Sequence, residues 1–173
     1  MSGAERVLRY AALDPHLLRR LLNSYELELI EVGERAPIPG CFWGLPEAGV
    51  IADQVYVRAD TPVHSLLHEA CHLILLPRAI RQRVHTDASD CQLEEDATCL
   101  LQLVLSDRIV GFGLDRACVD MDAWGYSFRL GSARAWFDHD AEDARQFLID
   151  RGLLSADSSP IPALRLATAT GAV

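Results

Sequence analysis

Basic residues are few and scattered in this chain. Lys and Arg together number 16 against 25 Asp and Glu in 173 residues, which gives a formal net charge of −9. No cluster of Lys or Arg stands out along the sequence. Because contacts to nucleic-acid phosphates require clustered cations, this charge balance disfavours DNA or RNA as a partner.

Paired cysteines and long apolar runs are also missing. The five cysteines form no C-x-x-C pair, and the opening residues, MSGAERVLRY, lack the apolar core of a signal peptide. The longest apolar stretch, around Leu73 to Leu76, is too short and too often interrupted by polar residues to span a bilayer. We therefore expect a reduced, cytoplasmic protein with no membrane partner.

Hydrophobic residues make up 50% of the chain, which at this length predicts one domain with a substantial core. We place this domain at residues 1–154. Residues 155–173 are rich in Ser, Pro, Ala and Thr and are predicted to form a loosely ordered tail. The elements below predict an α+β fold, in which a small N-terminal sheet precedes a mostly helical body.

Helix caps, apolar periodicity and β-branched residues predict the individual elements. Asp14 and Pro15 mark the start of a first helix that ends near Ser24. The predicted strands are Leu27–Val32 and Val50–Arg58. The later predicted helices are Pro62–Leu76, with Thr61 as its N-cap, then Cys91–Asp107, Met121–Phe137 and Ala141–Arg151.

Residues 68–72 read HEACH, an instance of the pattern H-E-x-x-H, and lie within a predicted helix. Residues four apart are just over one helical turn apart, so His68 and His72 share a face and can reach one metal ion. Glu69 follows the first histidine directly, where the general base of a metallohydrolase must lie. The pattern predicts a zinc site with these two histidine ligands and Glu69 as the catalytic residue.

A catalytic zinc ion normally has three protein ligands, so this pattern leaves one ligand to be found. A metzincin would have Gly at position 75 and His at 78, but the chain has Leu75 and Arg78, which excludes that class. The common remaining arrangement takes a carboxylate from a later helix, where Glu94 and Glu95 are available. The other side chains left open as the third ligand are Asp87, Asp90 and Cys91.

With the downstream motif included, the chain resembles the ImmA/IrrE metallopeptidases, gluzincins whose H-E-x-x-H helix precedes a helix carrying E-x-E-A-[ND]-x-F-A. Residues 94–101, EEDATCLL, fit that frame, and the resemblance covers roughly residues 40–105. It implies a zinc-dependent peptidase with Glu94 as the third metal ligand and an intracellular, regulatory protein as its substrate. It also implies that a sheet edge near Val50–Val57 binds the substrate as an added strand.

The sequence departs from that family at three places: Cys71 replaces a usual Gly, Thr98 replaces Asn or Asp, and Ser106 and Asp107 replace a Pro. An Asn or Asp at position 98 would hydrogen-bond a metal ligand, a role for which Thr has a shorter reach. These departures favour the alternative function, a non-catalytic zinc-binding domain that serves as a structural or protein-interaction module.

Other polar side chains are candidates for the same cleft. His64 precedes His68 by one turn and is predicted to support the site or pack in the core, since three consecutive turns cannot easily present ligands to one ion. Cys71 is predicted to be buried among apolar residues. The candidates for stabilising a developing oxyanion are His85, Tyr126 and His139.

Overall fold

The structure, a computed structural model, describes residues 7–42, 46–86 and 91–162. Within these ranges the chain forms a three-stranded mixed sheet and seven α-helices, so the predicted α+β class is confirmed. The strands are β1 (Glu28–Glu31), β2 (Gly49–Ile51) and β3 (Gln54–Val57). The helices are α1 (Pro15–Asn23), α2 (Val63–Leu75), α3 (Arg78–Arg81), α4 (Gln92–Ser106), α5 (Gly113–Trp124), α6 (Ala133–His139) and α7 (Glu142–Asp150). None of the helices described here has the length and apolar character needed to cross a lipid bilayer.

Strand β3 lies at the centre of the sheet, parallel to β1 and antiparallel to β2. The prediction of a single strand over Val50–Arg58 is therefore wrong, because the chain turns back after β2. Ala52 adopts a left-handed conformation at φ 54° in that turn. The sequence gives little warning of the turn, since it lacks the Gly or Asn that usually occupies such a position.

The outer edge of β2 is already hydrogen-bonded to other parts of the chain. The amide of Val50 donates to the Gly40 carbonyl at 3.4 Å, and its carbonyl accepts from the Thr86 amide at 3.2 Å. The backbone near Pro39 packs closely against β2, since a Cβ on Gly49 would lie 2.1 Å from the carbonyl oxygen of Pro39. The backbone groups of Val50 that face away from β3 are thus not free to bind an added substrate strand, contrary to the expectation from the family resemblance.

Helix α2, which carries HEACH, packs most extensively against α4. It begins at Val63 after Pro62, and the predicted N-cap role of Thr61 is wrong because its hydroxyl instead accepts from the Arg58 amide at 2.9 Å. The predicted helix over Cys91–Asp107 is confirmed as α4. The apolar side chains buried on these two helices are Val63, Leu66, Leu67, Ala70, Cys71, Leu73 and Ile74, with Ala97, Cys99, Leu100, Leu101, Leu103 and Leu105.

The predicted helix over Met121–Phe137 is instead two helices, α5 and α6, joined by a loop over residues 125–132. Gly125 ends α5 in the left-handed conformation, with φ 108°, as is usual for a glycine after a helix. Ser132 then caps α6 by accepting from the Ala135 amide at 3.2 Å. Asp122 fixes the two helices relative to each other, since its Oδ1 accepts from the Ala133 amide at 2.7 Å. The aromatic residues continue an apolar pattern across the break, which explains the wrong prediction.

The beginning and end of the described chain follow the sequence signals more closely. Asp14 caps α1 by accepting from the His16 amide at 2.9 Å, and Gly152 lies after α7 with φ 67°. Residues 155–162, the described part of the predicted tail, fold back on the domain through the Ile161 amide, which donates to the Leu153 carbonyl at 2.9 Å. The rest of the predicted tail lies outside the described residues.

We expect Gly49→Ala to destabilise the protein by about 1–3 kcal/mol, since the backbone of Pro39 leaves no room for the added methyl group. Gly33→Ala is the matched control, because a Cβ at Gly33 meets nothing within 4 Å. Urea unfolding of both variants beside the wild type measures the difference. Equal free energies of unfolding for the two variants would show that Gly49 and Pro39 are not closely packed.

Candidate metal centre

His68 and His72 on α2 and Glu95 on α4 bring their ligand atoms within 4.8 Å of one another. The Nε2 atoms of the two histidines are 3.1 Å apart. Glu95 completes the group, with Oε1 3.1 Å from His68 Nε2 and Oε2 3.4 Å from His72 Nε2. These three side chains could hold a metal ion, and we call them the metal group.

The predicted third ligand, Glu94, does not belong to the metal group. Its carboxylate lies 3.5 Å from the guanidinium of Arg151, just beyond the end of α7. Consecutive helical residues point about 100° apart, so only one of the two adjacent glutamates can face α2. The structure therefore corrects the assignment from Glu94 to Glu95, which the residues alone had left open.

Gln102 orients the first histidine. Its Nε2 donates to the His64 carbonyl at 2.9 Å, so its Oε1, 3.1 Å from His68 Nδ1, accepts a hydrogen bond from that nitrogen. Nδ1 of His68 therefore carries a proton, and Nε2 is the ring nitrogen that faces the metal group. Sequence analysis missed this fully buried glutamine. Its spacing could have identified it, because Gln102 follows Glu95 by two helical turns and so lies on the same face of α4.

Thr98 has the corresponding position beside the second histidine. Its Oγ1 lies 3.3 Å from His72 Nδ1, which places a buried hydroxyl where it can accept from that ring. The Thr98 side chain, although shorter than Asn or Asp, therefore reaches a histidine of the metal group. With both Nδ1 atoms occupied, the two Nε2 atoms remain for an ion.

The electrostatics of the metal group favour positive charge. Burial by itself lowers the pKa of His68, but hydrogen bonds with Cys99 and Glu95 outweigh burial and raise that pKa well above its ordinary value. The hydrogen bond from His68 and the charges of the two histidines lower the pKa of Glu95. A carboxylate that stays ionised between two imidazoles is a suitable setting for a cation.

Tyr126 is the predicted oxyanion donor that the structure brings to the metal group. Its ring meets that of His68 edge to face, with centroids 5.4 Å apart. Burial raises the pKa of its phenol well above the ordinary value, and the negative charges of Glu69 and Glu47 add to this effect. The other two candidates are both exposed: His85 contacts the adjacent Thr86, and His139 ends α6.

His64 is fully buried and lies outside the metal group. Its ring packs against Trp124 and Tyr126, with centroids 5.2 and 5.6 Å away, and neither ring nitrogen has a hydrogen-bond partner. Burial lowers its pKa to about 3, so the ring is neutral. It therefore packs behind Tyr126, in agreement with the supporting or core role predicted for it.

Neither Cys91 nor Cys71 joins the metal group. Cys91 is exposed at the start of α4, and Cys71 is fully buried, as predicted for an apolar contact. Asp87 and Asp90 lie outside the described residues.

Comparison with models of protein families, with curated proteins and with solved structures found no match.

We expect Gln102→Leu to weaken metal binding by about 10–100-fold, because it removes the acceptor that orients His68. Gln146→Leu on the exposed side of α7 is the control for loss of a glutamine amide. Competition with a fluorescent zinc chelator gives both affinities, and circular dichroism confirms that the variants are folded. Unchanged affinity in Gln102→Leu would mean that the hydrogen bond does not set the ring orientation.

The correction at the third ligand predicts that Glu95→Ala loses stoichiometric metal after loading with zinc, whereas Glu94→Ala retains it. The physical reason is that Glu94 pairs with Arg151 instead of the histidines. Metal content per chain, measured by mass spectrometry with His72→Ala as the metal-free reference, tests this. Loss of metal from Glu94→Ala alone would restore the original assignment.

Proposed function

We propose that this protein is a zinc-dependent metallopeptidase that hydrolyses a peptide bond of a protein substrate. The observation that carries the proposal is the convergence of His68, His72 and Glu95, with Glu69 next to the first histidine on the same helix. Three protein ligands leave a fourth position for water or substrate, the arrangement of catalytic zinc sites. The resemblance of residues 40–105 to the ImmA/IrrE metallopeptidases supports the same assignment.

Zinc fits the donor set. Two imidazole nitrogens and one carboxylate are the ligands of the zinc peptidases that use a downstream glutamate. The side-chain oxygens of Gln102 and Thr98 accept hydrogen bonds from the Nδ1 atoms, which leaves both Nε2 atoms to bind an ion. Such partners characterise functional zinc sites. A zinc ion held there would polarise a substrate carbonyl and make a water molecule more acidic.

Glu69 is the general base in this mechanism. Its carboxylate takes a proton from the attacking water and then gives it to the departing amine of the peptide, so that the residue ends as it began. Tyr126 is the oxyanion donor, because its phenol stays protonated and can donate a hydrogen bond to the oxyanion that forms from the carbonyl. Its edge-to-face contact with His68 keeps the phenol ring beside the metal group.

Two of the three departures from the family do not argue against catalysis once their surroundings are considered. Thr98 lies within 3.3 Å of His72, where the family has an amide or carboxylate. Cys71 is fully buried, so the bulk that replaces a glycine is accommodated in the core. These positions are therefore compatible with a peptidase.

Glu69→Gln is expected to retain zinc but to lose about 10²–10⁴-fold in peptidase rate, since the amide cannot accept the proton from water. Rates are measured on zinc-loaded protein with a mixture of peptides, read out by mass spectrometry. Glu34→Gln, an exposed change remote in sequence, is the control for loss of one charge.

Full activity in zinc-loaded Glu69→Gln would rule this mechanism out. Stoichiometric zinc without turnover in the wild type would instead support the non-catalytic zinc-binding domain as the function.

A further inference from the structure

A cavity of about 400 Å³ lies between α4, the 125–132 loop, α6 and α7. None of the metal ligands lines it. We call it the side cavity. Its lining residues on these elements are Gln92, Asp96, Phe128, Arg129, Trp136 and Asp140, together with Ser127, Asp143 and Ala144.

A line of aromatic rings connects the side cavity with the metal group. Phe128 stacks on Tyr126 with ring centroids 6.3 Å apart, and Tyr126 in turn meets His68 at 5.4 Å. A substrate whose scissile bond lies at the metal group can therefore place a neighbouring side chain in the cavity.

The lining of the side cavity carries excess negative charge. It contains three aspartates and one arginine, and that arginine is committed to Asp140 through a hydrogen bond of 2.7 Å from Arg129 Nε. Asp96 accepts a hydrogen bond from the neutral amide of Gln92 at 2.9 Å. Within the described part of the chain, no cation forms an ion pair with Asp96 or Asp143. Two carboxylates are thus left to attract a positive charge.

The side cavity is also lined by two aromatic residues, Phe128 and Trp136. The rings of Phe128 and Trp136 have centroids 5.1 Å apart and are tilted by 33°. Such rings accept the methylene stem of a long basic side chain by apolar contact, and their faces attract its cationic end. A carboxylate side chain would be repelled by the aspartates, and a purely apolar one would desolvate them without compensation.

We propose that the side cavity is a specificity subsite for an arginine or lysine side chain adjacent to the scissile bond. This inference rests on the proposed peptidase function and narrows its substrate class to peptides with a basic residue at one fixed position. The two aromatic rings hold the stem of that residue, while Asp96 and Asp143 bind its charged end.

The test compares matched peptides that carry arginine or its neutral isostere citrulline at the selected position, which a peptide mixture first identifies with the zinc-loaded wild type. We expect the arginine peptide to have the higher kcat/KM, and Asp143→Asn and Asp96→Asn each to lower it by about fivefold. The citrulline peptide should change by less than about twofold in the same variants. Asp107→Asn, an exposed change at the far end of α4, is the charge-matched control, and zinc content is checked in every variant.

The two hypotheses fail in different ways. Cleavage without preference for arginine or lysine would overturn the subsite and leave the peptidase intact, whereas no cleavage of any peptide would overturn the peptidase. Equilibrium binding of the arginine and citrulline peptides to zinc-loaded Glu69→Gln tests the subsite without turnover. Equal affinities there would also overturn it.

Discussion

The packing of α2 against α4 is the contact on which the rest of the site depends. Leucines and small residues fill this interface, and the polar groups between the helices are paired across it. Gln102 spans from α4 to both the backbone and the first histidine of α2, while Thr98 reaches the second. Because buried polar groups are costly when unpaired, these bonds fix the rotation of one helix relative to the other. That rotation decides which side chain of α4 meets the histidines.

Much of the fold could be predicted from local signals. The Asp14 cap, the HEACH helix and the periodic leucines of α4 each specified an element without help from the tertiary structure. The errors occurred where a turn interrupts a continuous apolar pattern. Ala52 adopts a left-handed conformation that its residue type does not indicate, and Gly125 divides what looks like one helix. At Ala52 no local preference marks the turn, whereas at Gly125 the glycine is itself the local signal, which the continuing apolar pattern obscured.

The sequence predicted which two histidines converge but not which carboxylate joins them. The H-E-x-x-H spacing specified the two histidines, because one helix carries both. Choosing between Glu94 and Glu95 required the rotation of a second helix, and a single step along the sequence changes the direction of a side chain by about 100°. One face of α4 carries Glu95, Thr98 and Gln102, which together identify Glu95 as the glutamate that meets the histidines. That pattern is recognisable only after α2 has been placed against α4.

The 125–132 loop has a consequence for how this protein could diversify. It is held at its ends by Gly125 and by the bond from Ala133 to Asp122, and it carries Tyr126 and Phe128 only two residues apart. Under the proposed function, the first residue serves the bond-breaking step and the second forms a wall of the recognition site. Because their rings are stacked, a substitution that reshapes one displaces the other. Turnover and selectivity in such an enzyme would therefore evolve together, and new preferences would arise more readily from the helices that line the opposite side.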